Sequence, residues 1–255
     1  MQHAPRHPHT IDPPPHPERL AATRLSWHVL AGHVLAEERW RRAERIGLHP
    51  RPDGLRTPLD DGVGVELVGR RLLVHQDGRT REAPVTSLHD ARRIVLGTDQ
   101  DRTRWSEELP IHDPPPTVPA DQPLEIDTGV AHWLGAWFTL GEDVLGALGR
   151  DDASTEASPP TLWPEHLDIA IEVLPEDQRG SYGLSPGDDG VPEPYAYVAV
   201  WYPDRVGGLD DPRWNGGSFP GALLRAHELA EVDDAATHLL DWFRERRDLL
   251  AALTT

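Results

Sequence analysis

Val63-Gly-Val-Glu-Leu-Val-Gly-Arg-Arg-Leu-Leu-Val-His-Gln-Asp-Gly-Arg-Thr-Arg-Glu-Ala-Pro-Val85 is the stretch that decides the fold class. Apolar residues recur with a period of two in Val63-Gly-Val65-Glu-Leu67-Val68, and Leu72-Leu-Val74-His75 forms a second apolar run. Gly69-Arg70 and Asp77-Gly78 supply turns. Period two sends alternate side chains to opposite faces, and short Gly-containing breaks close hairpins, so the stretch predicts an antiparallel meander. On its N-terminal side, Leu20, Trp27, Ala31 and Val34 fall at helical steps and Arg39, Arg41, Arg42 and Arg45 suit the negative end of a helix dipole. A long helix is predicted from Pro17 to about Arg45, stopped by Gly47. On its C-terminal side, Ser87 with Asp90 three residues on predicts the cap of a short helix through Leu96.

Further along, residues 98–126 carry Asp113-Pro-Pro-Pro116 and little periodicity, and read as a Pro-rich linker. A second helix is predicted from about Thr128 to Leu148, with Ala131, Leu134, Phe138, Val144 and Leu145 toward a core. Residues 150–160 read as a loop. Leu167–Val173 and Tyr195–Tyr202 alternate as strands, and Asp234 to about Leu253 is an amphipathic helix with Leu239, Leu240, Phe243 and Leu250 on one side. Strands bracketed by helices without β–α alternation predict an α+β protein. The expected organisation is two similar halves, 17–97 and 127–255, each a long helix packed on an antiparallel sheet, with a C-terminal helix. They follow a His/Pro-rich tail over 1–16 expected to be disordered. A single domain over 17–255 is the alternative division.

Composition excludes whole classes of chemistry. All 25 basic residues are arginine and there is no cysteine. Without lysine there is no Schiff base, pyridoxal-phosphate anchor or Walker-type phosphate lysine. Without cysteine there is no thiolate nucleophile, zinc–thiolate site or disulfide. The net charge of −18 repels phosphate backbones and anionic lipid, so neither nucleic acid nor a membrane is an expected partner. No apolar run approaches the ~20 residues of a membrane span. The start of the chain is His/Pro-rich rather than basic-then-apolar, so a cytoplasmic location is expected. Abundant Arg, Ala, Gly and Pro beside a single asparagine, Asn215, fit a GC-rich bacterial coding bias.

Leu162-Trp-Pro-Glu-His-Leu-Asp-Ile-Ala-Ile171 and Ser185-Pro-Gly-Asp188, leading to Pro192-Glu-Pro-Tyr-Ala-Tyr197, resemble an uncharacterised bacterial family. The order of elements over most of 20–250 also resembles a larger family of domains of unknown function. In that larger pattern Asp168 matches, whereas the position of His166 is not histidine. The resemblance implies architecture and no assigned activity.

Several residue patterns bear on chemistry. Gly183-Leu-Ser185-Pro-Gly187 fits the G-x-S-x-G form of a nucleophile elbow. That elbow needs a helix after the serine and a backbone N–H on the next residue, and Pro186 has none, so a tight loop is predicted. His166-Leu-Asp168 with His227 has the form of a His-x-Asp…His metal site for a divalent ion such as iron or zinc, although about two His-x-acid pairs arise by chance at this composition. His227-Glu-Leu-Ala-Glu231 lacks the second histidine of a zinc-protease helix. His28 and His33 fall ~140° apart on a straight helix and cannot share a metal, and His33 with Glu37 reads as a surface pair. The most informative feature is two strand faces, one carrying His166, Asp168 and Glu172 and the other Tyr195, Tyr197 and Trp201. An acidic–imidazole row beside an aromatic row suits a small-molecule pocket, with cationic ligands favoured. The expected function is therefore small-molecule binding or an uncharacterised enzyme on those six residues. The alternatives are a metal-dependent enzyme on His166, Asp168 and His227, and a structural or partner-binding protein.

Overall fold

The structure is a computed structural model describing residues 10–98, 113–217 and 219–253. Most of the His/Pro-rich tail and residues 99–112 of the predicted linker lie outside the described residues. The fold is α+β, with two five-stranded antiparallel sheets and a C-terminal helix. Two compact units divide the chain: Pro14–Thr139 with Thr161–Ile169, and Leu140–Pro160 with Ala170–Thr255. The unit boundaries fall inside a helix and a strand rather than at residues 98–126.

The first unit opens with the long predicted helix, but not as one regular α-helix. α1 (Pro17–Leu30) passes into a π-helical turn over Ala31–Ala36 and continues as α2 (Glu37–Ala43). The expected apolar stripe is present: Trp27, Ala31 and Val34 are fully buried and Leu20 nearly so. Burying each such large side chain contributes roughly 1.5–3 kcal/mol. Five short strands follow: β1 (His49–Arg51), β2 (Gly54–Arg56), β3 (Gly64–Val68), β4 (Arg71–Gln76) and β5 (Arg79–Pro84). They pair in chain order, with Val65 opposite Val74 and Leu67 opposite Leu72. β1 and β2 add a hairpin that the sequence pattern did not reveal. Gly135, in α4 (Thr128–Gly149), makes room for it, since a Cβ there would sit 2.8 Å from the Arg51 carbonyl oxygen and the Gly54 nitrogen. α3 (Leu88–Leu96) starts at Ser87, whose hydroxyl accepts the Asp90 N–H as the sequence predicts.

Residues 113–126 are not a free linker. Leu124 N–H donates to Thr86 O, His89 N–H donates to Ala120 O, and Leu124 and Ile126 are buried. Proline removes donors but leaves carbonyls and apolar rings, so a Pro-rich segment still packs.

In the second sheet, β6 (Thr161–Trp163), β7 (Asp168–Val173), β8 (Gly180–Ser185), β9 (Tyr195–Val200) and β10 (Gly221–Arg225) again run in chain order. Within the second unit, Tyr182 of β8 meets Phe243 of the C-terminal helix α6 (Ala235–Leu253) edge to face at 6.0 Å. Leu239, Phe243 and Leu250 are fully buried and Leu240 nearly so. Asp151 ties the loop after α4 to this helix, accepting Arg244 Nε at 2.8 Å and Nη2 at 3.0 Å, and Arg247 Nη1 at 3.0 Å. A short α5 (Ala226–Ala230) leads out of β10. The outer edge of β10 is closed by the preceding loop: Asn215 Oδ1 accepts the Leu223 N–H, and the Gly216 N–H donates to Gly221 O. An edge strand so covered offers little for another chain to pair with.

Candidate functional site

β9 carries the predicted aromatic row. Antiparallel partners point to the same face, and the register pairs Tyr195 with Ser185 and Arg225, Tyr197 with Gly183 and Leu223, and Ala199 with Ser181 and Gly221. Tyr195 and Tyr197 meet edge to face at 6.2 Å. Gly183 makes space for the second ring, because a Cβ there would lie 2.7 Å from it. Trp201 continues the row just past the strand, where Ser181 Oγ accepts its indole N–H at 2.8 Å.

The two ends of this face differ. At one end Tyr195 is buried and its hydroxyl donates to Asp188 Oδ2 at 2.5 Å. Asp188 Oδ1 accepts the Gly190 and Val191 N–H groups, and Ser185 Oγ accepts the Gly187 N–H. Ser185 ends a strand, as an elbow requires, but no helix follows, and its hydroxyl organises a turn. Beside it Glu193 accepts from Arg225 Nη1 at 2.7 Å and from His227 Nδ1 at 2.8 Å. The hydrogen bond to Glu193 raises His227 above the ordinary histidine value.

At the other end the surface opens. Trp201 is 42% exposed, yet it is fixed on three sides. Ser181 holds its N–H, the Arg179 guanidinium lies 5.5 Å from the ring centroid, and Tyr202 meets it edge to face at 6.4 Å. Arg179 is itself held, donating to Glu172 Oε2 at 3.3 Å and to Glu156 Oε2 at 3.1 Å. The Trp201 N–H of the backbone donates to Arg179 O, so the two residues are locked at the main chain as well. A large exposed aromatic ring held in this way is a preorganised contact surface, since its contacts favour one orientation before any ligand binds.

The predicted acidic row is placed differently. β7 begins at Asp168, not at His166. Leu167 adopts a left-handed conformation, φ 53°, which turns the chain ahead of the strand and leaves His166 exposed in the turn. Asp168, Ile169, Ala170 and Ile171 are all buried, so this part of β7 is covered on both faces. Glu172, half-exposed, reaches the aromatic row through Arg179. His166, Asp168 and His227 do not assemble: among the described residues no group of three or more His, Asp or Glu side chains is placed to hold a metal ion. His227 is engaged by Glu193 instead.

Arg179, Ser181 and Glu156 were not legible as site residues. The signal available was a positively charged side chain two residues before a serine in a segment with weak strand character, and nothing in that spacing points to a tryptophan 20 residues on.

A second polar constellation, in the first unit, includes His33 and Glu37, a pair expected at the surface that is interior. Glu37 and Arg92 pair at 2.6 Å with both side chains 4% exposed or less, and Arg92 Nη1 also donates to the His33 carbonyl within the π turn. Arg41 reaches the same carboxylate at 2.5 Å. His33 Nε2 meets Pro116 O and His28 Nε2 meets Glu165 O. Burial lowers both histidines, His28 to about 4. Each imidazole is therefore neutral and donates to its carbonyl. This cluster braces a widened helical turn, with Arg92 of α3 donating to a carbonyl within it.

No family model, curated protein or solved structure matches the chain.

Proposed function

We propose that this is a small-molecule binding protein whose ligand sits on the open end of the β9 face, against Trp201 and Tyr197, with Glu172 and Arg179 at its rim. The single observation that carries this reading is Trp201 itself, exposed yet immobilised by Ser181, Arg179 and Tyr202. A tryptophan needed only for packing would be buried, like Trp27 and Trp137. One that merely happened to be exposed would not be anchored by an ion-paired arginine and a hydrogen bond to its ring nitrogen. The reading retains Glu172, Tyr197 and Trp201 from the six predicted residues, places Tyr195 beneath them as support, and omits His166 and Asp168. It also keeps the two halves as similar units, supported by two sheets of equal strand number that both run in chain order.

A thermal-shift screen of metabolite classes, run on the wild type and on Trp201→Ala in parallel, tests it. At least one class is expected to raise the unfolding midpoint of the wild type and leave that of Trp201→Ala unchanged. Unliganded Trp201→Ala is expected to remain folded and to be less stable by about 1–3 kcal/mol, because the Ser181 hydrogen bond and the Arg179 and Tyr202 contacts are lost. Ligand stabilisation that survives in Trp201→Ala refutes the placement.

A further inference from the structure

Resting on that reading of the Trp201 surface, we infer that the ligand is a neutral saccharide whose ring packs on the indole. Local charge selects against the other ligands an exposed tryptophan attracts. An indole face draws cations, but here the Arg179 guanidinium already lies 5.5 Å from the ring centroid, so that attraction is taken by a resident cation. Anions are disfavoured in turn, because Glu172 and Glu156 together exceed the Arg179 charge by one and the chain as a whole carries −18.

What remains is an apolar plate rimmed by polar groups of both kinds. Glu172 and Glu156 each give Arg179 a single oxygen, Oε2, and their side chains are 39% and 57% exposed. Each therefore has a second oxygen to accept a hydroxyl proton, while an ionised carboxylate accepts without being able to donate. A pyranose fits both features at once. Its C–H face makes dispersion contact with the indole, and its hydroxyls donate to the carboxylates. A neutral planar heterocycle without N–H or O–H donors would use the indole and leave the pair of carboxylates unanswered. Because Trp201 is fixed before the ligand arrives, weak individual contacts are not offset by ordering the ring.

The full-length chain labelled with fluorotryptophan tests this by fluorine NMR. Nine tryptophans are present, and Trp201→Phe identifies the resonance of Trp201. The labelled protein is titrated separately with glucose, galactose, N-acetylglucosamine and cellotetraose, and with choline and caffeine as the cationic and planar alternatives. The Trp201 resonance is expected to shift saturably with at least one saccharide, while that of Trp163, exposed in the other unit, stays in place. Glu172→Gln is expected to weaken that saccharide by about threefold to tenfold, the worth of one hydrogen bond to a charged acceptor replaced by a neutral one. A Trp201 shift with caffeine or choline and with none of the sugars overturns the saccharide assignment and leaves small-molecule binding standing. No Trp201 shift with any probe overturns both.

Discussion

At the scale of single residues, His28 shows how burial sets a protonation state. Its imidazole donates to the Glu165 carbonyl inside the first unit, and burial pushes its pKa from the ordinary 6.5 to about 4. The folded protein thus holds fewer protons than the unfolded chain between those values. The stability linked to His28 is complete above pH 6.5, falls as the pH drops through that window, and is fully lost below about pH 4. The loss is on the order of 3 kcal/mol, and His33 shifts in the same direction. Urea unfolding followed from pH 7 to 4 is expected to show this slope, and His28→Gln, which keeps a donor but cannot be protonated, to flatten it. An equal slope in both proteins would remove His28 as its source. Asn215 is a second residue-scale case. Its side-chain oxygen holds the Leu223 N–H at the edge of β10, so Asn215→Ala is expected to cost about 1 kcal/mol in denaturant unfolding. Asn215→Asp, which keeps the acceptor, is expected to cost distinctly less.

At the scale of elements, the π turn between α1 and α2 and the strand β8 depend on partners distant in the chain. The helical stripe from Leu20 to Val34 was legible because burial follows helical spacing. The widened turn was not, because it is stabilised by Arg92, 59 residues from the His33 carbonyl it satisfies. Arg92→Met leaves Glu37 buried with Arg41 as its remaining ion pair, and is expected to destabilise by roughly 3–5 kcal/mol. Glu37→Leu combined with Arg92→Met is expected to cost less than the sum of the two single changes, which a double-mutant cycle in urea measures. Additive losses would show that the two groups act separately. β8, Gly180-Ser-Tyr-Gly-Leu-Ser185, has two glycines and two serines, poor strand formers alone. It is a strand because β9 pairs with it along its whole length and Gly183 accommodates the Tyr197 ring. β7 shows the opposite case: its apolar side is buried as alternation predicts, but on its other side Asp168 and Ala170 are buried too while Glu172 is half-exposed, and alternation cannot distinguish such a face from a solvated one.

At the scale of the whole molecule, charge dominates. A chain with 43 acidic and 25 basic residues repels itself when compact. Many arginines are already engaged, as in the Asp151–Arg244–Arg247 cluster, so the excess carboxylates feel mainly one another. Raising sodium chloride from about 0.01 M to 0.3 M shortens the Debye length from ~30 Å to well under 10 Å, and the melting midpoint is expected to rise with it. A midpoint that falls over this range would mean that the engaged pairs outweigh the net repulsion. The amino-acid sequence by itself determined the exclusions of lysine and cysteine chemistry, the α+β class, the long helices and the aromatic face of β9. These follow from composition and from periods of 3.6 and 2, which are local properties of a chain. Only the tertiary structure decided that Asp168 is interior, that Glu37 meets Arg92, and that Glu172 and Arg179 hold Trp201 at the surface. Burial and pairing depend on which segment lies against which, and no single stretch of sequence carries that information.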